Sequence, residues 1–456
     1  MANLQIPRFM ISAPQSGSGK TTIVCALLKA LIDRGFKISA FKSGPDYIDP
    51  MFHSRVIGTK SRNLDIFMLG RKTVRYLAAK NSFGSDVAVF EGAMGYYDGI
   101  GASVESSAYD LAKTCDVPVI LVVNGKGVAL SVAALIKGFK EFKTDSRIEG
   151  VILNNIKPLT YLFYKKVLEK EIKVKVLGYF PVMNNCSFES RHLGLVTAEE
   201  IKDLQEIVDR LARQAEQSID FDALLKICKS ANPLRYSPQA VRKLGDVKIA
   251  IAQDKAFCFY YQDALDLLKE LGAELVPFSP LKDKHLPKCS GIILGGGYPE
   301  LYARQLSENK TMLSDIRDAL KNNLPCFAEC GGFMYLLEKH VDNANRYNWV
   351  GAIAGESFMT KSLTHFGYVY LQAERDNILC SAGEGINGHE FHYSDSTANA
   401  SGFIARKKSG GKSWACINIS PTLYAGYPHI HLWGNPEFAK NFVASCCSYE
   451  KNAHID

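Results

Sequence analysis

The sequence predicts an α/β protein of two domains, on the basis of three observations. From the N-terminus to about residue 180, short apolar runs alternate with helical patterns, which is typical of a mostly parallel sheet covered by helices on both faces. A second alternation of this kind begins at "VKIAIAQD" and continues through "GIILGGGYPEL" and "PCFAECGG". Between them, "SANPLRYSPQAVRKLGD" contains two prolines and shows no periodicity, which is typical of a linker.

These patterns place the first domain at residues 1–232, a linker at 233–246 and the second domain at 247–456. The first domain is expected to hold six apolar strands and a helical segment from Thr197 to about Ser230, where apolar residues recur three and four apart. From about Val350 the second domain is richer in strands and glycine. The six predicted strands are "RFMISAP", "KISAFKS", "DVAVFEG", "PVILVVN", "GVILNNI" and "KVLGYFP".

The composition is that of an ordinary soluble globular enzyme, with 47% hydrophobic and 22% charged residues. The net charge of +7 is spread along the chain, so it favours an anionic substrate over nucleic acid, which clustered Lys and Arg usually bind. The N-terminus lacks a signal-peptide pattern, and the longest apolar run, "VPVILVV", is too short to span a membrane. The twelve cysteines include no CxxC pair, so we expect reduced thiols and a cytoplasmic protein.

The stretch "SAPQSGSGKTT" indicates a phosphate-binding loop between the first strand and a helix. Gly17 and Gly19 allow backbone N–H groups to turn toward phosphate oxygens. Lys20 can reach the terminal phosphates of ATP, and the Thr21 hydroxyl can hold Mg²⁺ at the start of the helix. The strict pattern has a glycine where this chain has Pro14. The loop residues predicted to bind ATP are Ser16, Gly17, Ser18, Gly19, Lys20, Thr21 and Thr22.

Acidic residues follow the second and third predicted strands. Asp46 and Asp49 lie in "KSGPDYIDP", while Glu91 ends the third strand in "FEGAMGYYDG". Because the carboxyl ends of parallel strands meet in one crevice, these acids are expected beside the phosphate loop, where carboxylates suit Mg²⁺. Asp98 is a further member of this set. Asn154 ends another strand and could face the nucleotide base, or form a turn.

A cysteine lies on a predicted strand–turn–helix elbow in "LPCFAECGGFMYLL". Cys330 projects from the turn, as a nucleophile would, whereas Cys326 lies inside the strand and is expected to be structural. A nucleophilic cysteine needs a base and an oxyanion hole. The base is His429 or His431 in "GYPHIHLW", which are two residues apart and so on one face of a strand. The predicted oxyanion-hole residues are Gly296, Gly297 and Gly331.

Several long motifs of this sequence are typical of one enzyme family. They are "APQSGSGKTT", "KSGPDYIDP", "EGAMGYYDG", "RHLGLV", "AFCFYYQDALDLL", "GAELVPFSPL", "LGGGYPEL", "AECGGFMYL" and "GHEFHYS". These motifs follow one another along nearly the whole chain in the order typical of that family. On this basis the sequence resembles the cobyrinic acid a,c-diamide synthase family. The resemblance implies a P-loop domain similar to dethiobiotin synthetase, followed by a class I glutamine amidotransferase domain.

The resemblance also implies a reaction. Cys330 would release ammonia from glutamine, and ammonia would amidate the c and then the a acetate side chain of a corrinoid after ATP has phosphorylated each carboxylate. Lys20 would stabilise the transferring phosphoryl group, and Thr21, Asp46 and Glu91 would hold Mg²⁺. The implied partners are ATP, L-glutamine and a polycarboxylate corrinoid or related tetrapyrrole, with a homodimer left open. The residues implied to hold or activate the substrate are Asp46, Tyr47, Asp49 and Asp98.

Three positions depart from the family pattern. Many class I amidotransferases carry a glutamate two residues after the catalytic histidine, but here that position is His431 or Trp433, which implies a Cys–His dyad. Ser190 replaces an acid that the family often has before "RHLGL", and Gly426 stands where a serine is frequent. The last two changes concern the substrate pocket rather than the nucleophile.

Other interpretations remain open at this point. The Ni-sirohydrochlorin a,c-diamide synthase family is similar in all of these motifs, and hydrogenobyrinic acid is a further possible substrate. The motifs do not separate these substrates, because the ring is recognised by the shape of a pocket and not by a motif. A ParA-like regulatory ATPase shares the deviant phosphate loop but explains neither Cys330 nor the later histidines. A pseudo-amidotransferase, whose second domain is only a scaffold, is disfavoured by the intact cysteine and histidines.

Overall fold

A computed structural model describes residues 1–184, 186, 190–191, 194–195, 204–342 and 345–452. The chain forms two compact units, one of Met1–Ile66 with Gly70–Gln239 and the other of Phe67–Leu69 with Ala240–Asp456. The boundary after Gln239 lies within the segment 233–246 that the sequence predicts as a linker. Among the described residues, no helix is both long enough and apolar enough to cross a membrane.

The first unit contains a parallel sheet of seven strands. The strands of the whole unit are β1 (Ala2–Leu4), β2 (Arg8–Ser12), β3 (Ile38–Ser43), β4 (Ser61–Leu64), β5 (Val87–Glu91), β6 (Val119–Asn124), β7 (Ile148–Asn154), β8 (Lys175–Phe180), β9 (Ser190–Arg191), β10 (Gly194–Leu195) and β11 (Leu234–Tyr236). The sheet has the order β4-β3-β5-β2-β6-β7-β8. Every residue of β2 and β5 is buried, which explains why these strands are continuous apolar runs. The predicted mostly parallel sheet is confirmed.

Two short antiparallel pairs accompany this sheet. Strand β11 pairs with β1, so part of the predicted linker is a strand of the first unit. Strand β9 pairs with β10. The start of the predicted helical segment, at Thr197, and His192 of the "RHLGLV" motif lie outside the described residues.

Three helices of the first unit begin at residues that favour a helix start. Ser107 and Asp220 each accept a hydrogen bond from a backbone N–H of the helix that follows, and Pro158 takes the first position of another helix. The helices are α1 (Lys20–Asp33), α2 (Ile48–Phe52), α3 (Ile66–Ser82), α4 (Ala108–Thr114), α5 (Ser131–Glu141), α6 (Pro158–Ile172), α7 (Leu204–Ser218) and α8 (Phe221–Lys229), with a π-helical turn at His53–Ile57. The first turn of α3 includes Phe67–Leu69, which are grouped with the second unit. The apolar faces of α1, α7 and α8 share one core with strands of the sheet.

The second unit also has a mainly parallel sheet, flanked by smaller ones. Its strands are β12 (Val247–Ala252), β13 (Ala273–Phe278), β14 (Ile292–Leu294), β15 (Cys326–Glu329), β16 (Leu337–Asp342), β17 (Asn345–Asn348), β18 (Ile353–Met359), β19 (His365–Ala373), β20 (Gly385–His392), β21 (Ser394–Ser396), β22 (Phe403–Lys407), β23 (Ser413–Cys416), β24 (Asn418–Ser420), β25 (Leu423–Gly426) and β26 (His429–Ile430). The main sheet has the order β13-β12-β14-β15-β25-β24, and only β24 runs antiparallel to its neighbour.

The smaller sheets of this unit come from its last third, where the sequence is rich in strands. They have the orders β17-β16-β18-β21 and β23-β22-β19-β20-β26. The helices are α9 (Gln262–Glu270), α10 (Ala303–Glu308), α11 (Lys310–Lys321), α12 (Gly331–Leu336) and α13 (Pro436–Asn452), with 3₁₀ turns at Pro299–Tyr302 and Leu432–Gly434. The predicted α/β class of the second domain is confirmed.

Candidate active sites

The phosphate loop of the first unit connects β2 to α1. Gly17 and Gly19 have φ angles of 76° and 91°, in the left-handed region that favours glycine. The Ser18 hydroxyl donates a hydrogen bond of 2.9 Å to the carbonyl oxygen of Gln15, which closes the turn. Ser16 is exposed at the loop tip, and Thr22 is half-buried in the first turn of α1. Glycines in this conformation beside a closed turn allow backbone N–H groups to converge on a phosphate.

Asn154, at the end of β7, supports the phosphate loop. Its Nδ2 atom donates a hydrogen bond of 2.9 Å to the carbonyl oxygen of Ser18. A Cβ atom at Gly19 would overlap this amide. The side chain is thus directed at the loop backbone, and no larger residue fits at Gly19 without displacing it.

Lys20 lies against the segment that follows β5. Its Nζ atom donates to the carbonyl oxygen of Met94 at 2.6 Å and to that of Gln15 at 3.4 Å. Burial, followed by the charge of Lys42, lowers the pKa of Lys20 to about 8. Asp98 accepts a hydrogen bond of 2.9 Å from the backbone nitrogen of Gly95, so this acid shapes the loop that Lys20 contacts.

The predicted acids form a carboxylate cluster, which we define as Asp46, Asp49 and Glu91. Thr21 Oγ1 lies 2.7 Å from Glu91 Oε1 and 3.4 Å from Asp49 Oδ2. The structure therefore brings the hydroxyl at the start of α1 to the acids that follow β3 and end β5. Tyr47 lies between the first two acids and immediately precedes α2.

Two basic side chains that the sequence analysis missed complete this cluster. Lys42 Nζ forms a short ion pair with Asp49 and lies 2.9 Å from Glu91 Oε1 and 3.9 Å from Asp46 Oδ2. His53 Nε2 lies 3.4 Å from Glu91 Oε2. Lys42 is the penultimate residue of β3, just before the "PDYID" motif, which was a usable signal, whereas nothing in the local sequence marks His53.

Burial and close charges shift the titration of these groups. Burial and the charge of Asp49 raise the pKa of Glu91 to about 7, against the effect of Lys42. The same two causes raise the pKa of Asp46 to about 6. Burial lowers the pKa of His53 to about 4. Burial alone would lower the pKa of Lys42, but the charges of Asp49 and Glu91 outweigh it and raise the pKa.

The carboxylate cluster suits Mg²⁺ in chemistry. Thr21 and the cluster offer hard oxygen ligands, which Mg²⁺ prefers, and it usually completes its shell with water and phosphate oxygens. Within the described residues, Glu91 Oε2 is buried without a hydrogen-bond partner. In that same part of the chain, no three His, Cys, Asp or Glu side chains are arranged to hold a metal by themselves. The residues thus fit an ion bound together with ATP rather than a closed metal site.

In the second unit, Cys330 occupies a strained elbow between β15 and α12. Its φ and ψ angles are 48° and −108°, outside the regions that ordinary residues prefer. Its backbone nitrogen donates to the carbonyl oxygen of Gly426 at 2.8 Å, and its carbonyl oxygen accepts from Met334 N at 2.9 Å. The side chain is 8% exposed, whereas Cys326 inside β15 is fully buried. This is the strand–turn–helix geometry that the sequence predicts.

His429 lies beside this elbow. A Cβ atom at Gly296 would lie 2.6 Å from His429 Cε1 and 3.5 Å from Cys330 Cβ, so all three residues are close neighbours. Burial lowers the pKa of His429, but the charges and hydrogen bonds of Cys330 and Glu329 outweigh it and raise the pKa to about 10. The ring of His389 stacks on that of His429, with centroids 5.0 Å apart.

His431 has different surroundings. Strand β26 ends at Ile430, and His431 caps the next 3₁₀ turn by accepting a hydrogen bond of 3.2 Å from the backbone nitrogen of Trp433. Its ring stacks on Tyr261, and burial lowers its pKa to about 3. His431 lies one residue beyond β26 but keeps an extended backbone, with φ and ψ angles of −108° and 114°. That the two side chains share one face stays a prediction.

The three glycines predicted for the oxyanion hole converge at the elbow. Gly296 and Gly297 follow β14, and Gly331 opens α12. A Cβ atom at Gly331 would lie 2.8 Å from Pro299 Cδ and 3.3 Å from the backbone nitrogen of Gly297. Side chains are therefore excluded where these backbone segments meet beside Cys330.

The structure accounts for one departure from the family pattern. A Cβ atom at Gly426 would lie 2.7 Å from Ile417 Cγ1 and 3.0 Å from Ile417 Cα. The serine that is frequent at this position does not fit here unless Ile417 moves. The side chain of Ser190 lies outside the described residues.

Known proteins match both parts of the chain. Residues 9–193 match the family model of the CobQ/CobB/MinD/ParA nucleotide binding domain. Residues 248–437 match that of the CobB/CobQ-like glutamine amidotransferase domain. The sequence-based domain division at 233–246 falls between these two matches.

The chain is also similar over nearly its whole length to proteins called cobyrinate a,c-diamide synthase. It is 39% identical to that of Caldanaerobacter subterraneus subsp. tengcongensis, over 97% of this chain and 98% of the relative. It is 41% identical to that of Clostridium tetani, over 94% and 98%. It is 37% identical to that of Thermoplasma volcanium, over 99% and 100%.

A nucleotide-binding domain with a phosphate loop, joined to a glutamine amidotransferase domain with a cysteine elbow, defines an ATP-dependent amide ligase that uses glutamine. The near full-length similarity narrows this class. The chain belongs to the cobyrinate a,c-diamide synthase family.

Proposed function

We propose that this enzyme amidates the a and c acetate side chains of cobyrinic acid, with glutamine as the nitrogen donor and ATP as the activating substrate. The observation that carries the proposal is the presence, in one chain of this family, of a phosphate loop beside buried carboxylates and of a cysteine–histidine pair on an elbow. Each carboxylate is activated before it meets ammonia, because ammonia does not displace an oxygen from a carboxylate ion.

Glutamine hydrolysis is assigned to the second unit. The Cys330 sulfur attacks the side-chain amide carbon of glutamine, and the thiol proton passes through His429 to the departing ammonia. The backbone amides at Gly296, Gly297 and Gly331 stabilise the developing oxyanion. Water then hydrolyses the glutamyl thioester, which yields glutamate and restores the thiol. We assign the base to His429 and a packing role to His431, whose Nδ1 atom is occupied by a backbone N–H.

Substrate activation is assigned to the first unit. A carboxylate oxygen of the substrate takes the γ-phosphoryl group of ATP, and ADP leaves. Ammonia then attacks the carbon of the acyl phosphate, inorganic phosphate departs and an amide remains. We assign the binding of ATP to the phosphate loop and Asn154, and stabilisation of the transferring group to Lys20. The substrate is positioned by Asp46, Tyr47, Asp49 and Asp98.

Thr21, Asp46 and Glu91 are the residues that would hold Mg²⁺ with ATP. When bound, the ion neutralises phosphate charge during transfer. The positive charge of Lys42 partly neutralises the carboxylate cluster, because its ammonium group lies among the three acids.

A mass-spectrometric amidation assay tests the proposed substrate. Purified protein is incubated with ATP, Mg²⁺ and glutamine, with cobyrinic acid, hydrogenobyrinic acid or Ni-sirohydrochlorin in separate tubes, and matched tubes lack ATP. We expect two conversions of acid to amide on cobyrinic acid alone. If the same two conversions occur only on another tetrapyrrole, that compound is the substrate, and the proposed reaction type stands. ATP hydrolysis without any amide product would favour the regulatory ATPase instead.

The cellular setting of the enzyme is also a proposal. None of the twelve cysteines is in a disulfide, and most of them are buried, which fits a reducing cytoplasm. That the protein forms a homodimer also stays a prediction.

Replacing Gly296 with alanine is expected to lower glutamine-dependent amidation by about 10²-fold, the effect of a misplacement near 1 Å at a catalytic group. The new Cβ atom would lie 2.6 Å from His429 Cε1, so the ring must move away from Cys330. Amidation supplied with ammonium salts should stay unchanged, because it bypasses this site. Steady-state rates with each nitrogen source provide the measurement.

Gly138→Ala is the matched control. A Cβ atom at Gly138, in helix α5, meets nothing within 4 Å, so both activities should persist. Equal losses in both variants, or an unaffected Gly296→Ala enzyme, would contradict the assignment of Gly296 to the glutamine site.

A further inference from the structure

Glu329 is a buried acid that directly precedes the nucleophile and is not part of the proposed reaction so far. It is the last residue of β15, and its side chain is largely buried. Its Oε1 atom accepts a hydrogen bond of 2.8 Å from the backbone nitrogen of Ile430. Its Oε2 atom lies 3.9 Å from Nδ1 of His429. One carboxylate thus contacts both residues of β26.

The contact is specific for one nitrogen of the histidine ring. Nδ1 faces Glu329, and His429 also interacts with Cys330. In the proposed reaction, the other ring nitrogen, Nε2, takes the proton of the thiol. A carboxylate at Nδ1 favours the tautomer with its proton there, which leaves Nε2 as the proton acceptor. The same negative charge stabilises the imidazolium that forms when the thiol gives up its proton.

Two other histidines in the described part of the chain, His389 and His431, supply no such charge. His389, from β20, stacks on the ring and lies 2.7 Å from the Tyr261 hydroxyl through its own Nε2 atom. Burial, and then the charge of His429, lowers the pKa of His389 well below its ordinary value, so this neighbour is neutral. Position 431, where many related amidotransferases have a glutamate, is a histidine whose ring caps a turn.

We propose that Glu329 positions His429 and so takes over the role of the carboxylate that is absent two residues after the histidine. The inference rests on the proposed function, since it presumes that Cys330 attacks glutamine. The acid is supplied from the strand that carries the nucleophile instead of from the strand that carries the base. The site then works as a Cys–His–Glu triad rather than as the dyad that the sequence implies.

The test compares Glu329→Gln with the unchanged full-length enzyme. Glutamine keeps the shape of the side chain and an oxygen that can accept from Ile430, but it removes the charge beside Nδ1. We expect kcat with glutamine to fall by about 10²- to 10⁴-fold with little change in KM, as for the loss of the acid from a comparable triad. Ammonium-dependent amidation should be unchanged.

A second readout separates positioning from mere structural support. Removal of an opposite charge at this distance is expected to lower the pKa of His429 by about one unit or more, which NMR titration of histidine-labelled enzyme follows. Glu329→Asp, which restores the charge, should recover part of both kcat and the pKa. Glu384→Gln is the matched control. Glu384 also accepts a hydrogen bond from a backbone nitrogen, that of Ser381 at 2.8 Å, but it lies in a turn and has no assigned role in the reaction.

The outcomes are distinguishable. The proposal is overturned if Glu329→Gln keeps the kcat and the His429 titration of the control. It is equally overturned if the variant loses amidation activity with glutamine and with ammonium to the same extent, since that indicates a structural role. If Glu329→Gln does not fold, Glu329→Asp decides by the same two readouts. Full glutamine activity in Cys330→Ala, in contrast, would refute the proposed function itself, whatever Glu329 does.

Discussion

Replacing Cys330 with alanine is expected to abolish glutamine-dependent amidation and to leave amidation with ammonium salts intact. Loss of the nucleophile of a comparable triad lowers kcat on the order of 10⁶-fold. Alanine keeps the elbow, because the hydrogen bonds of residue 330 to Gly426 and Met334 involve only the backbone. The phosphate loop lies in the other unit and is unchanged. Product formation with glutamine and with ammonium chloride, measured at saturating ATP, reports both halves of the prediction.

Cys326→Ala provides the matched control for this variant. Cys326 is the first residue of β15, fully buried, and burial raises the pKa of its thiol. Its removal costs some packing but no reacting group, so glutamine-dependent activity should persist in the folded fraction. Undiminished glutamine activity in Cys330→Ala would show that another group attacks glutamine. A parallel loss with ammonium would mean that the substitution damages the chain more widely.

The parallel sheets were predictable because their signal is local. Strands β2 and β5 are buried at every residue, and a strand with both faces covered must be a continuous apolar run. Strand β4, in contrast, was missed, because "SRNL" is polar although all but one of its residues are buried. Strand β11 was missed as well, since its three residues are defined by pairing with β1, more than two hundred residues away.

The active-site residues divide in the same way. The phosphate loop and the Cys330 elbow were predictable, because glycines beside a reactive residue determine the local backbone. Lys42 could have been assigned from its place just before the "PDYID" motif. His53 and Glu329 could not, since their roles depend on charges that only the folded chain brings near. The choice between the two histidines is also a tertiary matter, because nothing within "HIHLW" distinguishes the ring beside Cys330 from the ring that caps a turn.

Replacing Lys20 with alanine should eliminate amidation with either nitrogen source, because both routes require an activated carboxylate. Removal of one preorganised charge from a developing oxyanion typically lowers kcat by about 10²- to 10³-fold, and weaker ATP binding adds to this loss. Among the described residues, the nearby Lys42 does not replace Lys20, since it is held by Asp49 and Glu91. Glutaminase activity, measured as glutamate release, should remain, as Cys330 and His429 belong to the other unit.

Lys29→Ala is the control for this variant. Lys29 lies on the same helix but pairs with Asp33 at its end, so both activities should survive. The two variants at Lys20 and Cys330 then form a complementary pair. Lys20→Ala loses amidation and keeps glutamate release, while Cys330→Ala loses glutamate release and keeps ammonium-dependent amidation. If Lys20→Ala still amidates with ammonium at a normal rate, activation of the carboxylate does not occur at this phosphate loop. Only the expected double pattern is compatible with one reaction divided between two separately built sites.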